Sequence, residues 1–205
     1  MDYDPDKLIK LVNEFPDFRP SQKDGEIKRL MEIIRERNLK NICEIGSYKG
    51  GSLFLISQAA GKGAKLISID VNYPMERQIL NKQLVKPKQH VVTIKGDTRM
   101  NKTFLKVKRT FNEEPLDLLF IDGDHSIEGV KDDFEQYSQL VRKGGVIVFH
   151  DIHPDSYILS GKQTSSYVGD VPIFWQQLKK DDPDSKEIIE NVHQDGYGMG
   201  IVINN

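Results

Sequence analysis

The chain has 205 residues, enough for one α/β domain with a full core and too few for two ordinary domains plus a linker. With 29 Lys and Arg against 31 Asp and Glu, its formal charge of -2 gives no electrostatic case for binding nucleic acid. The acidic start Met1-Asp2-Tyr3-Asp4-Pro5-Asp6 is unlike a secretory signal, no apolar run approaches the roughly 20 residues of a membrane span, and Cys43 has no second cysteine to pair with, so a cytoplasmic, non-membrane protein is expected.

In chain order, Leu8, Leu11 and Val12 give residues 7–14 a short helical pattern, which Phe15-Pro16-Asp17-Phe18-Arg19-Pro20 breaks because proline lacks an amide proton and fixes φ. Residues 1–22 therefore read as a peripheral arm, either covering a site or joining copies in a homo-oligomer, and residues 23–205 as a single domain. Over 23–38, Ile27, Leu30, Met31 and Ile34 recur at helical spacing and form a face suited to packing on a sheet. Strands are then predicted over 41–45, 65–69, 90–95, 116–121 and 146–150, alternating with helices over 51–60, 75–85, 99–109 and 126–141. That alternation implies an α/β, Rossmann-like, mostly parallel sheet with helices on both faces. The tail changes character: a helix over 171–180, then strands over 187–192 and 199–203 whose short connection makes them antiparallel.

Ligands of open parallel sheets bind beyond the carboxyl ends of the strands. Read in order, those ends hold Glu44 with Gly46, Asp70, Asp97, Asp122 and Asp151, a carboxylate from each of five successive strands. Each is also the kind of residue that caps a helix or forms a turn, and Asp97 or Thr98 capping the next helix is a full alternative to ligand contact. The first turn, Glu44-Ile45-Gly46-Ser47-Tyr48-Lys49-Gly50-Gly51-Ser52, lets a ligand approach the backbone at its glycines. It is not the dinucleotide fingerprint, since Tyr48 stands at a glycine position, nor a Walker loop, since no Gly-Lys-Ser/Thr follows. An acidic rim repels a pyrophosphate and suits S-adenosylmethionine, whose ammonium and sulfonium outweigh its carboxylate. Asp70, 24 residues beyond Gly46, is placed to accept from ribose hydroxyls, and Thr98 with Asp97 to meet the adenine amino group.

The segment Ile42-Cys43-Glu44-Ile45-Gly46-Ser47-Tyr48-Lys49-Gly50-Gly51-Ser52 resembles the first motif of class I S-adenosylmethionine-dependent methyltransferases. Phe120-Ile121-Asp122-Gly123-Asp124-His125-Ser126-Ile127-Glu128-Gly129, continued by Gly144-Gly145-Val146-Ile147-Val148-Phe149-His150-Asp151-Ile152, is similar to the family that includes cephalosporin-hydroxylase-like and macrolide-sugar O-methyltransferases. The resemblance implies a seven-stranded sheet with an antiparallel last strand. It implies that Glu44, Gly46, Ser47, Gly51 and Ser52, with Tyr48 beside them, hold the methionine part of the cofactor, Asp70 and Val71 the ribose, and Asp97 and Thr98 the adenine. Asp122, Gly123 and His125 would face the transferred methyl group. Some relatives bind Mg²⁺ through carboxylates that match Asp122 and Asp151; where the macrolide-sugar enzymes carry an acid before the second of these, this chain has His150.

The expected activity is O-methylation of a small-molecule hydroxyl, with His125 as general base, Asp122 beside it, and Mg²⁺ as an aid. The bland alternative for Asp122-Gly123-Asp124-His125-Ser126 is a turn with Asp124 or Ser126 capping a helix. The long connection 151–170 reads as an acceptor-site lid, with Tyr157 and Tyr167 lining it or anchoring it. Phe174 and Trp175 read first as core. A nicotinamide-dependent oxidoreductase shares the sheet and Asp70, and a non-catalytic cofactor-binding protein would keep the fold without turnover.

Overall fold

The structure, a computed structural model, describes residues 3–164 and 166–205; Met1 and Asp2 of the expected arm and Ser165 of the expected lid lie outside the described residues. Five strands, β1 (Asn41–Ile45), β2 (Lys65–Asp70), β3 (His90–Lys95), β4 (Leu116–Ile121) and β5 (Val141–His150), pair in parallel in the order β3-β2-β1-β4-β5. The last strand, β7 (Met199–Ile203), runs antiparallel to β5, and β6 (Lys186–Ile188) pairs antiparallel with β7 at the edge. The strand order reverses between β1 and β4, which opens a crevice at their carboxyl ends.

The strands are almost continuously apolar because both faces of the sheet are covered. One face buries Ile42, Leu66, Phe120 and Val148 against α1 (Pro5–Asn13), α2 (Asp24–Glu36) and α3 (Gly51–Ala59). The other buries Cys43, Ile67, Ile121 and Phe149 against α5 (Asn101–Thr110), α6 (Ile127–Tyr137) and α8 (Val171–Asp181). Cys43 is a free thiol in that second core, and burial pushes its pKa up, as expected of a packing residue. Phe174 and Trp175 are buried there too, and a Cβ on Gly200 would lie 2.6 Å from the indole, so Trp175 packs flat on β7.

Residues 1–22, read as a peripheral arm, contribute to the core: α1, capped by Asp4 through Lys7 N, buries Ile9 and Val12 against the same cluster as α2 and α3. The predicted elements differ from the structure mainly at their ends. β5 begins at Val141, which pairs with Leu116; the register then shifts so that Val146 faces Leu118, and the intervening Arg142-Lys143-Gly144-Gly145 segment bulges, with Arg142 Nε held by Asp117 at 2.6 Å. The strand expected over 187–192 is only Lys186–Ile188, because Asn191 and Gln194 close a hydrogen-bonded turn behind it. Within the described residues no helix is long and apolar enough to cross a membrane.

Candidate active site

A cavity of about 1090 Å³ opens at the carboxyl ends of the strands, where the order reverses. Of the expected cofactor residues, Gly46, Tyr48, Asp70, Val71, Asp97 and Thr98 line it. Asp122, Gly123, His125 and Asp151 line it as well. Asp and Glu outnumber Lys and Arg in the lining by eight to three, so the cavity favours a cationic ligand.

Four expected contacts, Glu44, Ser47, Gly51 and Ser52, sit behind the cavity wall instead. Side chains alternate along β1, so Glu44 faces the α3 side with Ile42, where it is fully buried and accepts 2.6 Å hydrogen bonds from both Ser52 and Ser68. Burial raises its pKa to about 7 against the pull of those hydroxyls, and its position behind the wall keeps it off the rim. Ser47 shares a 3.0 Å hydrogen bond with the Tyr73 hydroxyl. Gly51 lies under the N-terminal segment, where a Cβ would fall 2.1 Å from the Phe18 carbonyl oxygen. The acidic rim is therefore made by Asp70, Asp97, Asp122 and Asp151 without Glu44.

The turn after β1 is shaped by close approach. Gly46 has φ +84°, and a Cβ there would lie 1.8 Å from the Asp122 carbonyl oxygen, so the two loops at the switch point touch backbone to backbone. Asp70 braces this turn: its Oδ2 accepts from Ser47 N at 3.0 Å and Tyr48 N at 2.8 Å, while Oδ1 accepts from Asn72 N at 2.8 Å. Its remaining lone pairs stay open to the cavity it lines. Asp97 likewise accepts three hydrogen bonds, from Arg99 N and Nε on Oδ1 and from the far guanidinium nitrogen on Oδ2, so its donors come from one neighbouring side chain and its amide. Of the alternatives for Asp97, the structure thus favours turn formation over capping, since α5 starts at Asn101 with no side-chain cap.

On the opposite side of the cavity two carboxylates meet two imidazoles. His125 Nε2 lies 3.7 Å from Asp122 Oδ1 and 3.6 Å from Asp151 Oδ2. His150 Nδ1 lies 3.1 Å and 3.2 Å from the same two oxygens, and its buried Nε2 has no partner among the described residues. Burial opposes charge on His125, His150 and Asp122, yet the opposite charges win: His125 is raised to about 9, His150 is raised well above its usual range, and Asp122 is held at about 2. Without a metal, His125 is thus held protonated at neutral pH, and the neutral base that its expected role requires is the minor form. Ligand atoms of Asp122, His125 and Asp151 all lie within 4.8 Å of one another, an arrangement able to share a cation.

Neighbouring segments hold this group in place. His125 Nδ1–H donates to the Tyr167 carbonyl at 2.8 Å, and the Tyr167 ring stacks on the imidazole at 5.8 Å, so the other nitrogen is the one turned to the carboxylates. Gly169 makes that approach feasible, because a Cβ at its φ of +54° would lie 2.4 Å from the His125 carbonyl oxygen. Asp151 itself has φ 62°, a left-handed conformation disfavoured for a side chain and typical of functional positions. Ser126 caps α6 through Gly129 N at 3.1 Å, so the turn-and-cap reading of this motif holds alongside the cavity placement of Asp122 and His125.

Gln22 escaped sequence reasoning, and His150 was noted there without a role. Gln22 Nε2 donates to Asp122 Oδ2 at 2.7 Å, across 100 residues of chain. His150 joins the cluster only because β5 ends opposite Asp122. The connection 151–170 brings Tyr167 to the cavity but leaves Tyr157, on α7 (Ser156–Ser160), 66% exposed outside it. Only the long-loop signal pointed toward Tyr167; nothing local pointed to Gln22.

Residues 43–152 match the family described as a methyltransferase domain, and the chain belongs to that family. Uncharacterized protein R132 of Acanthamoeba polyphaga mimivirus is 37% identical over 119 residues, which are 57% of this chain and 53% of that protein. Protein y4gI of Sinorhizobium fredii is 25% identical over 130 residues, 59% of this chain and 14% of that protein. The matched region thus spans about half of the first relative and a small part of the second. Among solved structures, cofactor-bound Rv0187 from MTB superposes with a TM-score of 0.67 at 21% identity, covering 98% of this chain and 87% of that one. The O-methyltransferase from Bacillus cereus in complex with SAH gives 0.64 at 17% identity, with 99% and 92% covered. TomG, an O-methyltransferase from Streptomyces achromogenes in complex with SAM, gives 0.61 at 19% identity, with 100% and 91% covered. At these identities the likeness shows a shared fold, the Rossmann-like sheet that the sequence pattern predicted, with the antiparallel last strand that the family resemblance implied.

Proposed function

We propose that this chain is an S-adenosylmethionine-dependent methyltransferase acting on a hydroxyl of a small-molecule acceptor. The observation that carries the reading is the junction of two environments in one cavity: a glycine turn braced by Asp70, and beside it the Asp122, His125 and Asp151 donors within 4.8 Å of one another. Methyltransferase-domain membership and the SAH and SAM held by similarly folded proteins support it.

The residues present fit the cofactor. The cavity is acidic overall, and Gly46 leaves the backbone bare where the chain crosses Asp122. When bound, S-adenosylmethionine supplies a methyl carbon on a positively charged sulfur. Gly46, Tyr48, Asp70 and Val71 hold its amino-acid and ribose portions, with Glu44, Ser47, Gly51 and Ser52 supporting the turn from behind. Asp122, Gly123 and His125 border the transferred group.

The donor set also fits a divalent cation on Asp122, Asp151 and His125, where two carboxylates suit Mg²⁺ or Mn²⁺ and the imidazole broadens the choice toward Zn²⁺ or Fe²⁺. Such an ion would act as a Lewis acid on the acceptor hydroxyl. With Asp122 and Asp151 neutralised, His125 loses the partners that keep it protonated. Where Asp122 and Asp151 alone hold the ion, His125 Nε2, the nitrogen not committed to Tyr167, would be free to take the hydroxyl proton; an Nε2 that ligates the ion would not be. The bound cofactor would supply the methyl group, and Asp122, Gly123 and His125 would hold the acceptor oxygen in line with it.

Binding and turnover test the reading. S-adenosylhomocysteine is expected to raise the unfolding temperature where NAD does not, and labelled methyl is expected to move to a hydroxylated acceptor from a small-molecule panel. Absence of binding by either S-adenosyl compound at millimolar concentration overturns it.

A further inference from the structure

Asp133 is a buried carboxyl that the proposed chemistry leaves without a task. It lies on α6, is 2% exposed and lines the cavity, yet its Oδ2 has no hydrogen-bond partner among the described residues. It sits between the loops that follow β3 and β4. The Thr98 side chain is beside it, and a Cβ on Gly123 would lie 3.2 Å from that same Oδ2. One helical turn on, the Tyr137 hydroxyl donates to the Thr98 carbonyl at 3.1 Å, so a single face of α6 both fixes the loop after β3 and presents Asp133 next to it.

A buried carboxyl oxygen without a donor is costly unless a ligand supplies one. The residue that sequence reasoning placed there, Asp97, already has both oxygens bonded to Arg99. Resting on the methyltransferase reading, we propose that Asp133, rather than Asp97, reads the nucleobase of the cofactor by accepting a hydrogen bond from the exocyclic amino group of adenine. Burial raises its pKa to about 6, which still leaves it mostly ionised, and so an acceptor, above pH 7. A 6-oxo base presents a carbonyl oxygen where adenine presents its amino group. Oxygen then faces oxygen, and the site discriminates against it.

The test is calorimetric titration at pH 7.5 with S-adenosylhomocysteine and its 6-oxo counterpart, S-inosylhomocysteine. The wild type is expected to prefer the adenosyl compound by about tenfold or more, the range for a charge-assisted hydrogen bond. Asp133→Ala is expected to weaken adenosyl binding by about tenfold and to bring the two compounds within about threefold of each other. Asp133→Asn, which keeps the shape and brings an amide donor, narrows the preference by improving inosyl binding, and decides the matter if the alanine variant does not fold. Asp97→Asn is expected to retain the preference. An unchanged preference in the folded Asp133 variants, or its loss in Asp97→Asn instead, overturns this assignment alone. A wild type that binds neither compound overturns the methyltransferase reading and this assignment with it.

Discussion

The two sides of the cavity use their carboxylates in opposite ways. On the glycine-turn side, Asp70 and Asp97 are bonded to backbone amides and to Arg99, and Glu44 is bonded to two serines behind the wall. On the other side, Asp122 and Asp151 face two imidazoles that are themselves charged by the encounter. A carboxylate at a strand end is therefore not a ligand by position. What differs is the kind of partner, backbone amides, serines and a guanidinium on one side against titratable imidazoles on the other, and the proposed function places the chemistry on the imidazole side.

The sharpest way to break this contrast is Asp122→Asn, expected to reduce methyl transfer by about 10³-fold while S-adenosylhomocysteine binding falls far less. Comparable losses in both would make Asp122 a general binding residue. Next, His125→Ala is expected to cost about 10²-fold in labelled-methyl transfer. EDTA should lower wild-type activity, with Mg²⁺ or Mn²⁺ restoring it; activity indifferent to EDTA would leave the carboxylate–histidine cluster working without metal.

The opposite side should answer in stability rather than rate. Glu44 has a folded-state pKa of about 7 against an ordinary value of 4.5, so the native state holds the proton more tightly and stability falls as pH rises between those values. Chemical denaturation of wild type and Glu44→Gln across pH 4 to 8 should show the variant gaining up to about 3 kcal/mol relative to wild type at the alkaline end. Equal pH slopes would mean that Glu44 titrates normally. The smallest effect is expected from Gln22→Ala, which removes one hydrogen bond to Asp122 and should change methyl transfer only severalfold, about 1 kcal/mol.

Much of the site was legible as residue types at strand ends. Asp70, Asp122, His125 and Asp151 all line the cavity, because a βα repeat delivers each strand's carboxyl end to the same rim. Glu44 was misplaced on that rim for a simple reason: it lies two residues before Gly46, and the alternation of β1 turns it toward α3. His150 was noted only as standing where some relatives carry an acid, because nothing in its neighbours reveals that β5 stops beside Asp122. Gln22 and Asp133 carried no local signal at all, being an ordinary residue in a bend before α2 and one of two adjacent aspartates on a helix.

The sequence by itself determined the alternation of strands and helices, the two-faced core and the order in which acidic strand ends reach the crevice. These follow from hydrophobic period and turn chemistry, which act over a few residues. Only the tertiary structure decided which carboxylates were already bonded, which histidines they faced, and that residues 100 apart, Gln22 and Asp122, would touch. Those outcomes depend on side-chain direction and on competition among donors brought together by folding, and neither is encoded at any fixed spacing along the chain.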